Sequence, residues 1–225
     1  MAKRVMLSWS SGKDAAWALH VLRRDPEVEL AGLFTTVNRA FDRVAMHGVR
    51  RALLEAQAAA TGLPLHVIAL PWPCPNDAYE QAMAGFVAQA QARGVTHFAF
   101  GDLHLEDIRR YREEKLAATG IAPLFPLWGL PTRALARQMV AGGLRAVIAC
   151  VDPKQAPSSW AGRRFDAAFL DALPEAVDAC GERGEFHTFA CAGPMFERPV
   201  EVAVGGIVER DGFVYADLHP LTHCR

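Results

Sequence analysis

Short apolar runs alternate with amphipathic stretches through the first 125 residues of the chain. The apolar runs predict strands at residues 5–7, 30–34, 65–70, 96–100 and 121–125. The stretches between them predict one helix that starts at Asp14 and others at residues 46–61, 76–93 and 106–118. Because strand and helix alternate throughout, the pattern predicts an α/β fold: a parallel sheet with helices on both faces.

The pattern changes near residue 125, where Pro123, Pro126 and Pro131 punctuate a short stretch. We therefore place a domain boundary there and predict one domain at residues 1–127 and another at 128–225. The second part carries a predicted helix at 131–141 and a strand at 146–151. Its Asp211-Gly212 dipeptide stands between two apolar stretches, which is typical of a β-hairpin. The sequence thus predicts a smaller α+β domain after the first one.

Composition limits the class of protein. The 225 residues are 51% hydrophobic and 22% charged, as in a globular chain and unlike a disordered one. A net charge of −1 provides no basic surface, so we do not expect a nucleic-acid partner. The five cysteines form no CxxC pair, which favours a reducing compartment. With no signal peptide and no apolar run of about 18 residues, we expect a cytoplasmic protein without a membrane partner.

Residues 8–14, SWSSGKD, connect the first predicted strand to the first predicted helix. Small side chains let the backbone approach a ligand, and the first N–H groups of a helix suit an anion. Lys13 adds a full positive charge. The loop has neither the GxxxxGK[ST] nor the GxGxxG spacing. On residue types alone, an ordinary strand-to-helix turn stays open as the alternative.

This loop resembles the SGGxD(S/T) pyrophosphate loop of the N-type ATP pyrophosphatases, which cleave ATP between the α and β phosphates and adenylylate a substrate. Ser11 stands in place of the first glycine, and Ala15 stands where the family usually has Ser or Thr. One phosphate-facing hydroxyl is therefore missing. Since a hydrogen bond to a charged group contributes about 1.5–3 kcal/mol, the loss weakens ATP binding without abolishing it.

Three further segments narrow the match: GDLHLEDIRRYREE from Gly101, FPLW from Phe125 and CGERGEFHT from Cys180. Together with the loop they look like the diphthine–ammonia ligase family and its bacterial-type relatives. The resemblance implies a five-stranded parallel sheet of the adenine nucleotide alpha hydrolase type, in the order 3-2-1-4-5, with ligands at the switch point. It implies ATP and Mg²⁺ as cofactors, with Asp14 as the Mg²⁺ ligand. The ATP-binding residues are then expected to be Ser8, Ser10, Ser11, Gly12, Lys13, Asp14, Thr35, Gly101 and Asp102.

A second cluster, Glu182, Glu185 and His187, lies within six residues. If residues 185–190 form a strand, Glu185 and His187 point to one face. A carboxylate and an imidazole there can bind a metal or an ammonium ion, or move protons. Two alternatives stay open: a surface Glu–His pair, and a zinc site made by Cys180, His187 and Cys191, although their spacing is not that of a zinc finger.

The leading hypothesis is an enzyme, an ATP-dependent ligase. A substrate carboxylate attacks the α phosphate and releases pyrophosphate, and ammonia or another amine then displaces AMP to form an amide. We assign catalysis to Lys13, Asp14, Glu185 and His187. Substrate contacts are expected from His47, Arg109, Arg112, Glu182, Glu185 and Thr188, with a solvated helix face as the alternative for the two arginines.

The substrate is less defined than the chemistry. In archaeal and eukaryotic relatives it is diphthine, a modified histidine on elongation factor 2, whereas the bacterial-type motifs here favour a small metabolite carboxylate. Two functions of other classes stay open: a non-catalytic adenine-nucleotide-binding module, which Ala15 favours, and a tRNA-modifying enzyme with the same loop. A homodimer is kept beside the monomer as the expected assembly.

Overall fold

The computed structural model describes residues 2–39, 43–44 and 48–221 of the chain. The first sheet contains β1 (Lys3–Ser8), β2 (Val28–Asn38), β3 (Arg43–Val44), β4 (Leu65–Leu70), β5 (His97–Ala99) and β6 (Ala122–Leu124). Five of these strands are parallel and lie in the order β4-β2-β1-β5-β6, and the two-residue β3 pairs antiparallel with β2. Counted along the chain, the parallel order is 3-2-1-4-5, so the predicted α/β fold and strand order are confirmed.

The two faces of this sheet belong to two different cores. Val5 and Leu7 of β1 enter the larger core, and Met6 between them enters a smaller aromatic core with Phe34 and Phe98. Successive side chains of a strand point to opposite faces. Because both faces are buried, the strand is apolar at consecutive positions instead of alternating with polar residues.

The helices of the first part are α1 (Lys13–Leu22), α2 (Arg51–Thr61), α3 (Asn76–Ala92) and α4 (Glu106–Leu116). The predicted helix at 46–61 is wrong at its start, because Arg50 is extended (φ −63°, ψ 141°) and residues 45–47 lie outside the described residues. The end of α2 follows from Gly62, whose left-handed backbone (φ 69°) closes the helix. None of the helices in the described ranges is long and apolar enough to cross a membrane.

A separate antiparallel sheet forms the second part of the chain, with β7 (Arg145–Val151) at its centre. Its other strands are β8 (Arg164–Phe165), β9 (Phe186–Ala192), β10 (Val202–Arg210) and β11 (Phe213–Pro220), and its helices are α5 (Thr132–Ala141) and α6 (Ala167–Asp171). Asp211 and Gly212 both have positive φ, 52° and 81°, as a two-residue type I′ turn requires. The predicted hairpin is therefore confirmed, while the domain boundary between residues 127 and 128 stays a prediction.

Buried hydrogen bonds hold β9 against the loop that follows β1. The Ala190 N–H donates to the Ser11 carbonyl (2.9 Å), and the Lys13 N–H donates to the Thr188 hydroxyl (3.0 Å). Gln57 of α2 is fully buried and donates to the carbonyls of Ser11 (3.0 Å) and Ala190 (2.6 Å). These bonds join α2, the loop and β9, so they fix the loop relative to the second sheet.

Gly101, directly after β5, provides a test of this packing. A Cβ atom on Gly101 would lie 3.0 Å from the backbone nitrogen of Ala15 and 3.0 Å from the carbonyl carbon of Asp14. Because these are helix backbone atoms that cannot give way easily, we expect Gly101→Ala to lower the free energy of unfolding by about 1–3 kcal/mol in urea denaturation.

The control for this variant is Gly85, which is exposed in the middle of α3 and has nothing within 4 Å of an added Cβ. Gly85→Ala should instead stabilise the protein by about 0.5–1 kcal/mol, because alanine favours the helix. Equal effects of the two variants would contradict the close approach of α1 to Gly101.

Candidate functional site

Two adjoining cavities lie at the carboxyl ends of β1 and β5. The smaller one, about 220 Å³, is mainly polar and lies between the loop at residues 8–14 and the second sheet. The larger one, about 820 Å³, extends from the same loop into the space between α3 and α4. The side chains that line both cavities are Ser8, Ser10, Phe100, Asp102, Arg112, Glu182 and His187. The strand order reverses here, and this is where open α/β sheets bind their ligands.

The backbone of the loop contains a position whose conformation favours glycine. Ser11 has a left-handed backbone (φ 68°) and a fully buried side chain. This conformation costs most residues about 1–2 kcal/mol and costs glycine little. Gly12 then begins α1 as an extended residue (φ −81°, ψ 168°) without a side-chain cap. Ser11 therefore occupies a backbone position that favours glycine, at a cost in local strain.

The ammonium group of Lys13 is buried among groups of both sheets. Its Nζ lies 2.8 and 3.0 Å from the two carboxylate oxygens of Asp14, and it also donates to the Cys180 carbonyl. The centres of the Phe165 and Phe186 rings lie 5.5 and 5.7 Å from Nζ. Burial lowers the pKa of Lys13, but the attraction of Asp14 and neighbouring groups outweighs it, so the pKa is raised and the lysine stays charged. The lysine expected to bind phosphate thus lines the smaller cavity with its charge already paired.

Two carboxylates of the smaller cavity, those of Asp14 and Asp102, are paired with cations. Asp14, the predicted Mg²⁺ ligand, accepts from Lys13 with both oxygens, and Asp102 forms an ion pair with Arg112. Within the described ranges, no group of three or more His, Cys, Asp or Glu side chains could hold a metal ion. Proteins bind Mg²⁺ through one or two carboxylates together with phosphates and waters. Both Asp14 oxygens contact Lys13, so a Mg²⁺ ion bound through Asp14 would have to share or displace this contact.

The two predicted arginines of α4 differ in their surroundings. Arg112 lines both cavities, donates from Nη2 to Asp102 (3.0 Å), and lies 4.1 Å from the centre of the Phe100 ring. These contacts fix the guanidinium plane at the cavity wall and leave Nη1 outside the ion pair, which suits an anion. Arg109 pairs with Glu113 on its own helix (2.7 Å) and lines neither cavity.

Glu182 reaches from the second part of the chain to the connection between β5 and α4. Its Oε1 accepts from the N–H groups of Leu103 (2.7 Å) and His104 (3.4 Å). Burial raises the pKa of this carboxyl to about 7. Glu182 therefore carries a proton in part of the molecules at neutral pH, at a position shared by both cavities, which is what proton transfer requires.

His187 of β9, like Glu182, lines both cavities. Burial, and then the positive charge of Lys13, lower the pKa of His187 to about 4, so its imidazole is neutral at neutral pH. Thr188 follows and accepts from the Lys13 N–H. Thr35 lines the larger cavity and Gly101 lines the smaller one. These four predicted residues therefore lie at the crevice, as do Asp102, Arg112 and Glu182.

Glu185 is not part of either cavity, which corrects its interpretation as a partner of His187. Its two carboxylate oxygens accept from the N–H groups of Asp178 (2.9 Å) and Arg183 (3.0 Å). Because β9 begins at Phe186, Glu185 precedes the strand and its side chain closes the turn at residues 178–184. The structure therefore brings His187 together with Glu182 and not with Glu185.

The remaining predicted residues do not gather at the crevice. Cys180 lines the smaller cavity, whereas Cys191 lines a third cavity of about 500 Å³ and contacts the Arg145 carbonyl (Sγ to O, 3.2 Å). The zinc alternative therefore has no geometric support. His47, predicted to contact the substrate, lies outside the described residues.

Sequence reasoning misses two groups that shape the crevice. Gln57 lies in an Ala-rich helix, where a polar residue usually faces solvent, but it is buried and accepts from the Trp9 indole (3.0 Å). Cys180 contributes its backbone carbonyl to Lys13, and no residue pattern identifies a carbonyl that every residue possesses. The one signal in the sequence that could have identified Gln57 is its position as a polar residue among the apolar residues of the helix.

The opposite pKa shifts of Glu182 and His187 predict compensating effects of pH on stability. The folded pKa of Glu182 is raised from 4.5 to about 7, so stability falls as pH rises through that window. The folded pKa of His187 is lowered from 6.5 to about 4, so stability rises with pH between those values. In the Glu182→Gln variant we expect mainly the rise of stability with pH that His187 causes. In the His187→Asn variant we expect mainly the fall of stability with pH that Glu182 causes. Each slope should stay below about 1.4 kcal/mol per pH unit in urea titrations. Variants that keep the wild-type pH profile would contradict these shifts.

Comparison with known families adds a second line of support. A family model for the diphthamide synthase N-terminal domain matches residues 3–121, and a model for the diphthamide synthase C-terminal domain matches residues 131–216. No curated protein matches the chain. The first match includes the loop, and the second includes Glu182 and His187. Since the first match alone covers more than half of the chain, the protein belongs to the diphthamide synthase family, and its domains are those of the ATP pyrophosphatase class of enzymes.

Proposed function

We propose that the protein is an ATP-dependent ligase that joins ammonia or another amine to a carboxylate-bearing substrate and releases AMP and pyrophosphate. The observation that carries the proposal is that the loop of residues 8–14 and the Glu182–His187 pair line the same two adjoining cavities. One side of the crevice suits a nucleotide, and the other side offers groups that exchange protons. The family match supports the use of ATP.

The proposed nucleotide pose follows the polarity of the cavities. The phosphates would occupy the smaller cavity, near the Ser8 and Ser10 hydroxyls, the start of α1 and Arg112. The adenosine would occupy the larger cavity, where Phe34 offers an apolar surface and Thr35 a hydroxyl. Pockets for small ligands combine a mostly apolar lining with a few polar groups in this way. Mg²⁺ stays an expectation from the family, and no step below uses it.

The proposed reaction has two displacements. A carboxylate oxygen of the substrate attacks the α phosphorus, and the bond to the bridging oxygen breaks so that pyrophosphate leaves. The nitrogen of ammonia then attacks the carbonyl carbon of the adenylate, and the bond to the AMP oxygen breaks. Holding the reactants side by side supplies much of the acceleration in such steps.

Two protons must leave the nitrogen, because ammonia arrives as ammonium and becomes an amide. Glu182 in its carboxylate form takes the first proton, which a pKa of about 7 allows at neutral pH. The neutral imidazole of His187, on the same cavity walls, can take the second as the amide forms. These roles replace the one expected for Glu185.

The substrate remains either protein-bound diphthine or a small metabolite carboxylate, and we propose that the reaction takes place in the cytoplasm. A non-catalytic nucleotide-binding module is the second candidate, since Ala15 supplies no hydroxyl and the charge of Lys13 is paired within the protein. Incubation with ATP and candidate acids separates the two, because only a ligase releases pyrophosphate and AMP. Retention of tRNA at moderate salt would favour the tRNA alternative.

The acceptor role is tested by Glu182→Gln and His187→Ala. Both should leave the ATP dissociation constant within about threefold and lower amide formation by about 10²-fold or more, as loss of general acid–base catalysis does. Calorimetry with ATP and mass spectrometry of the amide measure the two quantities. Glu175→Gln is the control, because Glu175 is an exposed carboxylate of the same segment outside the cavities. A parallel loss of ATP affinity and amide formation would contradict separate roles for the two sides.

The missing hydroxyl of the loop is tested by Ala15→Ser. Ala15 is 3% exposed and lines the smaller cavity, so a hydroxyl there can reach a phosphate. We expect ATP to bind about tenfold more tightly, in line with a hydrogen bond to a charged group. Ala16→Ser is the matched control, since Ala16 is fully buried in the core. This variant should lower the stability of the protein without tightening ATP binding. Weaker ATP binding by the Ala15→Ser variant would contradict this expectation, because it would show that the site is packed around alanine and does not accept a hydroxyl group.

A further inference from the structure

The ammonium group of Lys13 is bound by other groups of the protein. An ammonium group has three N–H donors, and three acceptor oxygens surround this one: both carboxylate oxygens of Asp14 and the carbonyl of Cys180. The side chain of Lys13 is 2% exposed. A buried ammonium needs such partners, because an unpaired one is strongly destabilising. The two Asp14 oxygens share one side of the ammonium and the Cys180 carbonyl takes another, so little of this buried group faces a ligand in the smaller cavity.

The surroundings of this ammonium come largely from the second sheet. Phe165 of β8 and Phe186 of β9 present their rings 5.5 and 5.7 Å from Nζ, within the range of a cation–π interaction. Such contacts are strongest where water is excluded. Lys13 begins α1 of the first sheet, so its side chain is a link from one sheet to the other.

The Cys180 carbonyl that Lys13 binds belongs to the turn that carries Glu182. Two residues further on, the Glu182 carboxylate accepts from Leu103 and His104 beyond β5. The turn is therefore attached to the first sheet at two points, one at the start of α1 and one after β5. With the turn attached at these two points, Glu182 lines both cavities.

We infer that Lys13 is a positioning residue, which holds the segment at residues 180–188 over the loop so that Glu182 and His187 face the nucleotide. It does not bind the phosphates itself. The contacts described above support the attachment of this segment by Lys13. The role of that attachment in catalysis rests on the proposed function. The raised pKa of Lys13 agrees with this, because the link stays charged across the neutral range.

The test is Lys13→Met, which removes the charge and keeps most of the length of the side chain. In nucleotide-free protein, amide hydrogen exchange over residues 178–188 should become at least tenfold faster. The ATP dissociation constant should change less than threefold, while kcat for amide formation falls about 100-fold and KM for ATP stays within threefold. An NMR titration should show a higher pKa for His187, since the charge of Lys13 contributes to lowering it.

Leu170→Ala is the control for a general loss of stability, because Leu170 is buried in the core of the second part. The Leu170→Ala variant and the wild type are compared at the same number of degrees below their respective melting temperatures. The variant should then show the wild-type rate of amide hydrogen exchange over residues 178–188 and the wild-type kcat. If Lys13→Met does not fold, Asp14→Asn removes one charged partner of the lysine and should produce the same faster exchange.

The opposite pattern would overturn the inference. If Lys13 binds phosphate, Lys13→Met should weaken ATP binding more than tenfold, leave AMP binding unchanged and leave exchange over residues 178–188 as in the wild type. Failure of the proposed function is a separate result, seen as absent turnover by the wild type with every acid offered. The exchange measurement needs no nucleotide and decides the role of Lys13 in that case as well.

Discussion

The carbonyl of Ser11 is a buried acceptor on which the contact between the two sheets of this protein depends. It accepts from the Ala190 N–H of β9 and from Gln57 of α2, and all of these groups are buried. Buried backbone groups require partners, so β9 cannot move away without leaving several of them unpaired. Both cavities have walls from the two parts of the chain. The crevice therefore depends on this junction, and it is a property of the whole chain and not of the first sheet alone.

Charge balance is the second constraint on the site. The smaller cavity contains two cations, Lys13 and Arg112, and each is paired with a neighbouring aspartate. Such a cavity has little net positive charge to attract a polyphosphate. Binding must then draw on the partial charge at the start of α1, the loop hydroxyls and the part of Arg112 outside its ion pair. The raised pKa of Glu182 fits this balance, because a protonated carboxyl removes one negative charge from a site that must accept an anion.

Local patterns account for most of the fold. Strand and helix positions in the first part follow from apolar runs and periodicity, and the hairpin follows from Asp211-Gly212, whose backbone preference is local. The strand order required the family resemblance, since periodicity does not say which strands are neighbours. The start of α2 was predicted too early: the alanines of this stretch lie between Ala52 and Ala60, whereas the backbone of Arg50, which precedes the helix, is extended.

By itself, the sequence determined the loop at residues 8–14, its position between a strand and a helix, and the family to which these residues point, since all of these depend on neighbouring residues. Only the tertiary structure decided which glutamate of the second cluster faces the cavities. Glu182 and Glu185 are three residues apart, yet one bonds the backbone beyond β5, 79 positions away, and the other bonds its own turn. The tertiary structure also decided which groups bind the Lys13 ammonium, because one of them, the Cys180 carbonyl, is 167 positions away in the sequence. Contacts over such distances depend on how the two sheets pack, and no pattern of nearby residues specifies that.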